Sequence, residues 1–162
     1  MSVCSWAGIM EKDELSTLLP HKGKMLLLSR LREYNIRERT LTAECDISGS
    51  CIFYDPELGG LPSWVCFEFM AQSISILSGL AGREAGLPPK PGFILSVSNM
   101  ELKLPVLKPG TTAVIQIRED CRIDLVYTFD CEVLLGDRPA AAAKLTVMDV
   151  DDIRKWEQEH GN

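Results

Sequence analysis

The stretch that most restricts the fold runs from Gly59 to Gly86, GGLPSWVCFEFMAQSISILSGLAGREAG. A Gly-Gly-Leu-Pro turn leads into a run whose apolar residues, among them Val65, Phe67, Phe69, Met70, Ile74, Ile76, Leu77 and Leu80, occupy most directions around a helix. A helix of that kind is buried on nearly all sides, so the rest of the chain must wrap it. Ser63, after Pro62, is the expected N-cap, and Gly86 with Pro88 and Pro89 ends the helix. One line breaks the apolar pattern. Glu68, Gln72, Ser75 and Gly79 recur at i, i+4, i+7 and i+11 and share a face. A carboxylate near the start of a buried helix is costly unless it has a partner or a task.

The flanking segments supply the wrapping. Residues 9–19, IMEKDELSTLL, are expected as a short helix stopped by Pro20, and residues 25–31 as a buried apolar strand. After a charged turn at 37–39, Leu41, Ala43, Cys45 and Ile47 alternate with Thr42, Glu44 and Asp46, the pattern of a half-buried strand. Residues 49–58 form a loop containing Phe53 and Tyr54. Downstream, residues 92–104, 112–119, 123–135 and 138–147 are expected as strands, with turns at Pro109-Gly110 and Gly136-Asp137. The tail, residues 149–162, carries acidic residues ahead of Arg154 and Lys155, the order a short surface helix prefers. The expectation is a single α+β domain over 1–162, with its core at about 10–148 and a long central helix wrapped by an antiparallel sheet of about six strands.

A net charge of −6 argues against nucleic-acid binding. No run approaches the ~20 unbroken apolar residues of a membrane span. The N-terminal residues lack the charged and apolar regions of a secretory signal, so a cytoplasmic chain is expected. Six cysteines without a CxxC pair and two distant histidines imply reduced thiols, no metal site and no cofactor. Cys66 stands two residues from Glu68 with no adjacent base, which fits a buried structural thiol better than a nucleophile.

Two segments resemble one known family. LLPHKGKMLLLSRL (18–31) is similar to the N-terminal motif of hot-dog-fold 3-hydroxyacyl-[acyl-carrier-protein] dehydratases, where a Pro-His pair precedes an apolar strand. GGLPSWVCFEFMAQ (59–72) resembles their helix-start motif, in which a Pro-Gly turn leads to a helix carrying Glu followed by Ala-Gln. The element order agrees over most of 10–148. The divergent ApeP-like branch, associated with aryl-polyene clusters, is most similar, because its helix also begins with Gly-Gly-Leu-Pro before a Trp. This sequence departs from the main family at three places. The family's catalytic His lies in a Gly-His-Phe-Pro motif fourteen residues before the helix Glu; that count reaches Tyr54 here, and the loop has no His. The turn Gly becomes Ser63, and an acidic residue near the end of the first strand becomes Ser29.

Dehydration of a 3-hydroxyacyl thioester needs a base for the α-proton, an acid for the departing hydroxyl and a dipole for the enolate-like oxygen. Glu68 is the candidate acid, weighed against a purely structural carboxylate. The amides of Ser63 and Trp64 supply the dipole, as the resemblance implies for the turn position. His21 is the candidate base in place of the absent loop His, weighed against a role in ordering the Pro20 turn. Tyr54 is a poorer substitute, since a phenol titrates near 10. Gln72 is expected beside the substrate, orienting a neighbour; His160 is expected in solvent. The resemblance further implies an acyl carrier protein or acyl-CoA thioester as partner and a homodimer, or a heterodimer with a paralogue. Lys22, Lys24, Lys90, Lys103 and Lys108 are candidates for a docking patch. The function implied is a 3-hydroxyacyl thioester dehydratase of a fatty-acid- or aryl-polyene-like pathway. The alternative is an acyl-binding subunit that has lost catalysis and pairs with an active paralogue, and thioester hydrolysis ranks third.

Overall fold

The structure is a computed structural model, described for residues 5–90, 92–149, 155 and 157–161. Strand β1 (Ser5–Glu11) and the short helix α1 (Lys12–Leu15) precede β2 (Arg30–Asn35) and β3 (Thr40–Asp46). The two-residue strand β4 (Leu61–Pro62) leads to the long helix α2 (Cys66–Glu84), followed by β5 (Gly92–Leu102) and a second two-residue strand, β6 (Val106–Leu107). Three long strands close the fold: β7 (Thr112–Ile123), β8 (Val126–Leu135) and β9 (Arg138–Asp149). Seven strands form one antiparallel sheet in the order β1-β2-β3-β7-β8-β9-β5, while β4 pairs with β6 apart from it.

Register explains why the sheet closes on the helix. Leu41 pairs with Ile117, which pairs with Cys131, which pairs with Ala143. The next inward row is Ala43, Ile115, Val133 and Ala141. All eight are buried, as the period-two pattern requires. Helix α2 packs across β3, β7, β8 and β9. Phe69, Met70, Ile76 and Leu77 are fully buried, each contributing about 1.5–3 kcal/mol. The segment Ser63–Glu84 is apolar enough, at a mean hydropathy of 1.3, to pass for a membrane span, yet 61% of that window is buried within this fold. The result is the hot-dog architecture, α+β as expected.

Four local expectations are corrected. Residues 9–19 are not one helix: the sheet edge takes Ser5–Glu11 as β1, paired with β2, and leaves α1 only four residues. Ladder hydrogen bonds at the edge of β2 outweigh helical propensity there, and Met10 is buried by that route. This added strand raises the sheet from about six strands to seven. Leu26, Leu27 and Leu28 are buried without forming a ladder strand, because the Leu27 N–H goes to a side chain, and only the half-buried Ser29 finds a strand, its N–H donating to the Glu44 carbonyl. Ser63 does not cap α2; it opens a 3₁₀ turn (Ser63–Val65), and neither that turn nor α2 has a side-chain cap. At its other end, α2 stops as expected, with Gly86 at φ +72° and the Leu87 N–H on the Gly82 carbonyl. The hairpin into β8 turns at Asp124-Leu125, so residue 123 belongs to β7. The expected tail helix lies largely outside the described residues; Lys155 and residues 157–160 are helical.

Candidate active site

The polar line on α2 is a track for the chain that crosses it. A Cβ added at Gly79 would stand 2.0 Å from the Leu18 carbonyl oxygen, so only glycine lets residue 18 lie against the helix. Further along, Gln72 receives the Leu27 N–H on Oε1 at 2.9 Å and donates from Nε2 to the Met25 carbonyl at 2.7 Å. Between these contacts the segment turns through Gly23, at φ +57°, and carries His21 to the start of the helix.

There His21 Nε2 lies 3.2 Å from Glu68 Oε1. The same carboxylate oxygen accepts a hydrogen bond from Gln72 Nε2 at 2.8 Å. Both members of the pair are partly exposed, His21 by 28% and Glu68 by 25%. His21 Nδ1 is buried and has no hydrogen-bond partner among the described residues. Nε2 is therefore the ring nitrogen that meets the carboxylate, and a proton on it donates to Glu68.

Both side chains open into a cavity of about 170 Å³ walled by Ala71, Ile74, Phe93, Ile94, Val147 and Met148, with Ser75, Ser78, Lys90 and Asp149 as its polar part. This is below the roughly 300 Å³ at which small-molecule sites begin, so the cavity of one chain is smaller than a complete small-molecule site. A larger concavity, about 640 Å³, lies on the other face of the sheet, along the cross-strand row Glu33, Thr42, Gln116, Glu132 and Ala142. No His–carboxylate pair lines it, whereas the smaller cavity has one.

The structure thus brings Glu68, His21 and Gln72 together and leaves three other candidates apart. The Ser63 N–H donates to the Pro105 carbonyl at 3.2 Å and is not available to a ligand. Trp64 is 54% exposed and meets Phe53 edge-on, with ring centroids 5.6 Å apart. Tyr54 is half-buried against the core, and neither it nor Trp64 lines the His21–Glu68 cavity. Gln72 is fully buried with both amide hydrogens engaged, so it orients neighbours from outside the cavity. Cys66 is buried, and burial pushes its thiol up to about 12, as for Cys45 and Cys131. Lys22 is committed to the carbonyls of Ser16 and Leu19, and Lys103 lies 3.6 Å from Glu101. Among the described residues, no group of three His, Cys, Asp or Glu is placed to hold a metal ion.

Comparison with known proteins decides the family. The family model for the ApeP dehydratase, ApeP-like, matches residues 13–158. The chain belongs to the ApeP-like dehydratase family. It is similar to the 3-hydroxyacyl-[acyl-carrier-protein] dehydratase FabZ of Rhizorhabdus wittichii, 26% identical over 151 residues that cover 89% of this chain and 92% of that one. In fold it is similar to the dehydratase heterocomplex ApeI:P from Xenorhabdus doucetiae, with a TM-score of 0.78, 20% identity, and coverage of 90% of this chain and 97% of that one. A hypothetical thioesterase from Streptococcus pneumoniae, solved with coenzyme A, shares the fold at a TM-score of 0.54 and 14% identity, over 70% of this chain and 80% of that one. The chain is therefore a hot-dog dehydratase, and β1 lies ahead of the part the family model matches. Nothing in the residue pattern singles out Asp149, which reaches the cavity from the end of β9.

Proposed function

We propose that this ApeP-like dehydratase removes water from a 3-hydroxyacyl thioester at the His21–Glu68 pair. The observation that carries the reading is the 3.2 Å contact between these side chains at a largely apolar cavity. The α-proton and the β-hydroxyl of the substrate sit on adjacent carbons, so acid–base groups this close address both. Glu68 gives the departing hydroxyl its proton. His21 was expected to act as a free base, but its Nε2 faces Glu68 and its Nδ1 is sealed off. We therefore assign His21 as the donor that holds the Glu68 carboxylate. The carboxylate takes the α-proton as the C–H electrons enter the thioester enolate. It then hands that proton to the hydroxyl as the Cβ–O bond breaks, the double bond forms and water leaves, which regenerates the carboxylate.

The thioester is carried by an acyl carrier protein or by CoA, in a fatty-acid- or aryl-polyene-like pathway of the cytoplasm. A second hot-dog chain, a paralogue in the manner of the ApeI:P heterocomplex, completes the pocket. Two observations support this: the cavity of one chain is small, and edge strand β5 is exposed almost throughout. Trp64 and Tyr54 are assigned to the wall that this second chain would complete, while Ser63, buried with its N–H on the Pro105 carbonyl, supports the helix start behind it. Membership of a dehydratase family favours an active enzyme over an acyl-binding subunit that has lost catalysis.

The test is hydration and dehydration of short 3-hydroxyacyl and enoyl thioesters, by the chain alone and with a co-expressed paralogue. Glu68→Gln is expected to lower kcat by about 10³-fold. His21→Asn keeps a hydrogen-bond donor without a base and is expected to retain more activity than His21→Ala. Equal loss in both His21 variants would restore the base role to His21. A wild-type protein inactive in both settings would defeat the enzymatic reading.

A further inference from the structure

Gln72 is fully buried, and its amide satisfies three groups at once. Its Oε1 accepts the Leu27 N–H, while its two Nε2 hydrogens go to the Met25 carbonyl and to Glu68 Oε1. The orientation of the amide follows from these partners, since a flipped amide would face an N–H with an N–H and two oxygens with an oxygen. Oε1 of Glu68 is thereby taken by two donors, Gln72 and His21, whereas Oε2 has no hydrogen-bond partner among the described residues and is not buried. The two oxygens of one carboxylate are not equivalent.

We infer that Gln72 is a positioning residue that assigns Oε1 of Glu68 to the protein and Oε2 to the substrate, while locking the segment carrying His21 against α2. The inference rests on the proposed dehydration but concerns a residue that never touches the thioester. Segment and helix are far apart in sequence, and a buried side chain with donors on one atom and an acceptor on the other joins them. Misplacing a proton-transfer group by about 1 Å is enough to cost on the order of 10²-fold in rate.

Gln72→Glu separates the two tasks. It keeps the shape and the acceptor for Leu27 N–H, but loses both donors and sets a carboxylate beside Glu68. With crotonyl and 3-hydroxybutyryl pantetheine thioesters as probes, and the full chain with any required paralogue, kcat above neutral pH is expected to fall about 10²-fold. KM should stay within about twofold, because no substrate contact is lost. The deficit narrows as pH falls towards about 5, where protonation of the new carboxyl restores one donor. Hydrogen exchange of the Leu27 amide stays slow in Gln72→Glu and becomes fast in Gln72→Met. A Gln72→Glu rate within about twofold of wild type above neutral pH would overturn the inference, as would a pH-independent loss that only follows the folded fraction. Crystal structures of Gln72→Glu at high and low pH give a readout that needs no activity: Glu68 is expected to turn from His21 at high pH and return at low pH. An unmoved Glu68 at both pH values refutes the positioning role even if the protein catalyses nothing, whereas an inactive wild type with a moving Glu68 refutes only the dehydration.

Discussion

Glu68 shows how one residue's meaning depends on what surrounds it. Alone on a buried helix it would be a liability. With His21 and Gln72 on Oε1 and an open Oε2, it is a carboxylate held in one orientation, as the proposed proton transfer requires. The spacing of Glu68, Gln72 and Gly79 was legible in the sequence because a helix converts four-residue intervals into one face. His21 was paired with Glu68 in advance only through the family resemblance and the absence of a loop His, because the direct contact depends on a glycine-turned loop whose path no local pattern records. The cysteines allow a second residue-scale test. Thiolates are the reactive species, and burial holds the thiols of Cys45, Cys66 and Cys131 up to about 12. Alkylation of native protein at neutral pH should therefore label exposed Cys121 and spare these three, as mass spectrometry of the digested protein would show. Labelling of Cys66 at a rate comparable with Cys121 would contradict its structural role.

At the scale of elements, the helix and the segment lying on it stand or fall together. Gly79→Ala gains about 1 kcal/mol of helix propensity, yet its methyl would meet a main-chain carbonyl that has no rotamer to escape into. Overpacking costs about 1–3 kcal/mol, so the net expectation is a lower Tm together with a lower kcat as residues 18–27 shift. A Tm at or above wild type would show that the segment yields easily. A second joint ties β7 to the turn after β2. Glu119 accepts Arg39 Nε at 2.7 Å and Arg122 Nε at 3.0 Å. Burial alone would raise its carboxyl above the ordinary 4.5, but the hydrogen bonds from Arg122 and Arg39 outweigh burial and lower it. A carboxyl lowered by folding stabilises the fold above its ordinary value and loses that contribution as pH falls through its folded value. Glu119→Gln should cost about 1–2 kcal/mol at neutral pH, roughly 3–6 °C in Tm, with the gap to wild type closing below about pH 4 in thermal melts. The alternating residues of β3 and the Gly136-Asp137 turn were readable in advance. Strand β1 was not, because its pairing with β2 is decided by an open sheet edge, and α1 shows how little helix the same residues form once the edge has taken them.

The molecule as a whole has two unlike margins. Both edges shift in register, β1 between Ala7 and Met10 and β5 between Ile94 and Ser96 and between Ser98 and Glu101, but on the β1 side Trp6 stacks on Tyr34. The β5 edge exposes Phe93, Ile94, Leu95, Val97 and Leu102. Helix α2 packs across its neighbours and stops short of covering it. An edge of this kind is a template for another strand. Val97→Lys is accordingly expected to shift the protein toward the 18.0 kDa single chain in analytical ultracentrifugation without altering its secondary structure. An unchanged sedimentation profile would place the interface elsewhere. The exposed strand also bears on supply. When one margin is finished only by a second polypeptide, the ratio in which two genes are expressed sets how much usable protein exists. Surplus copies would be drawn toward aggregation, so yield in a host should depend on producing both chains together.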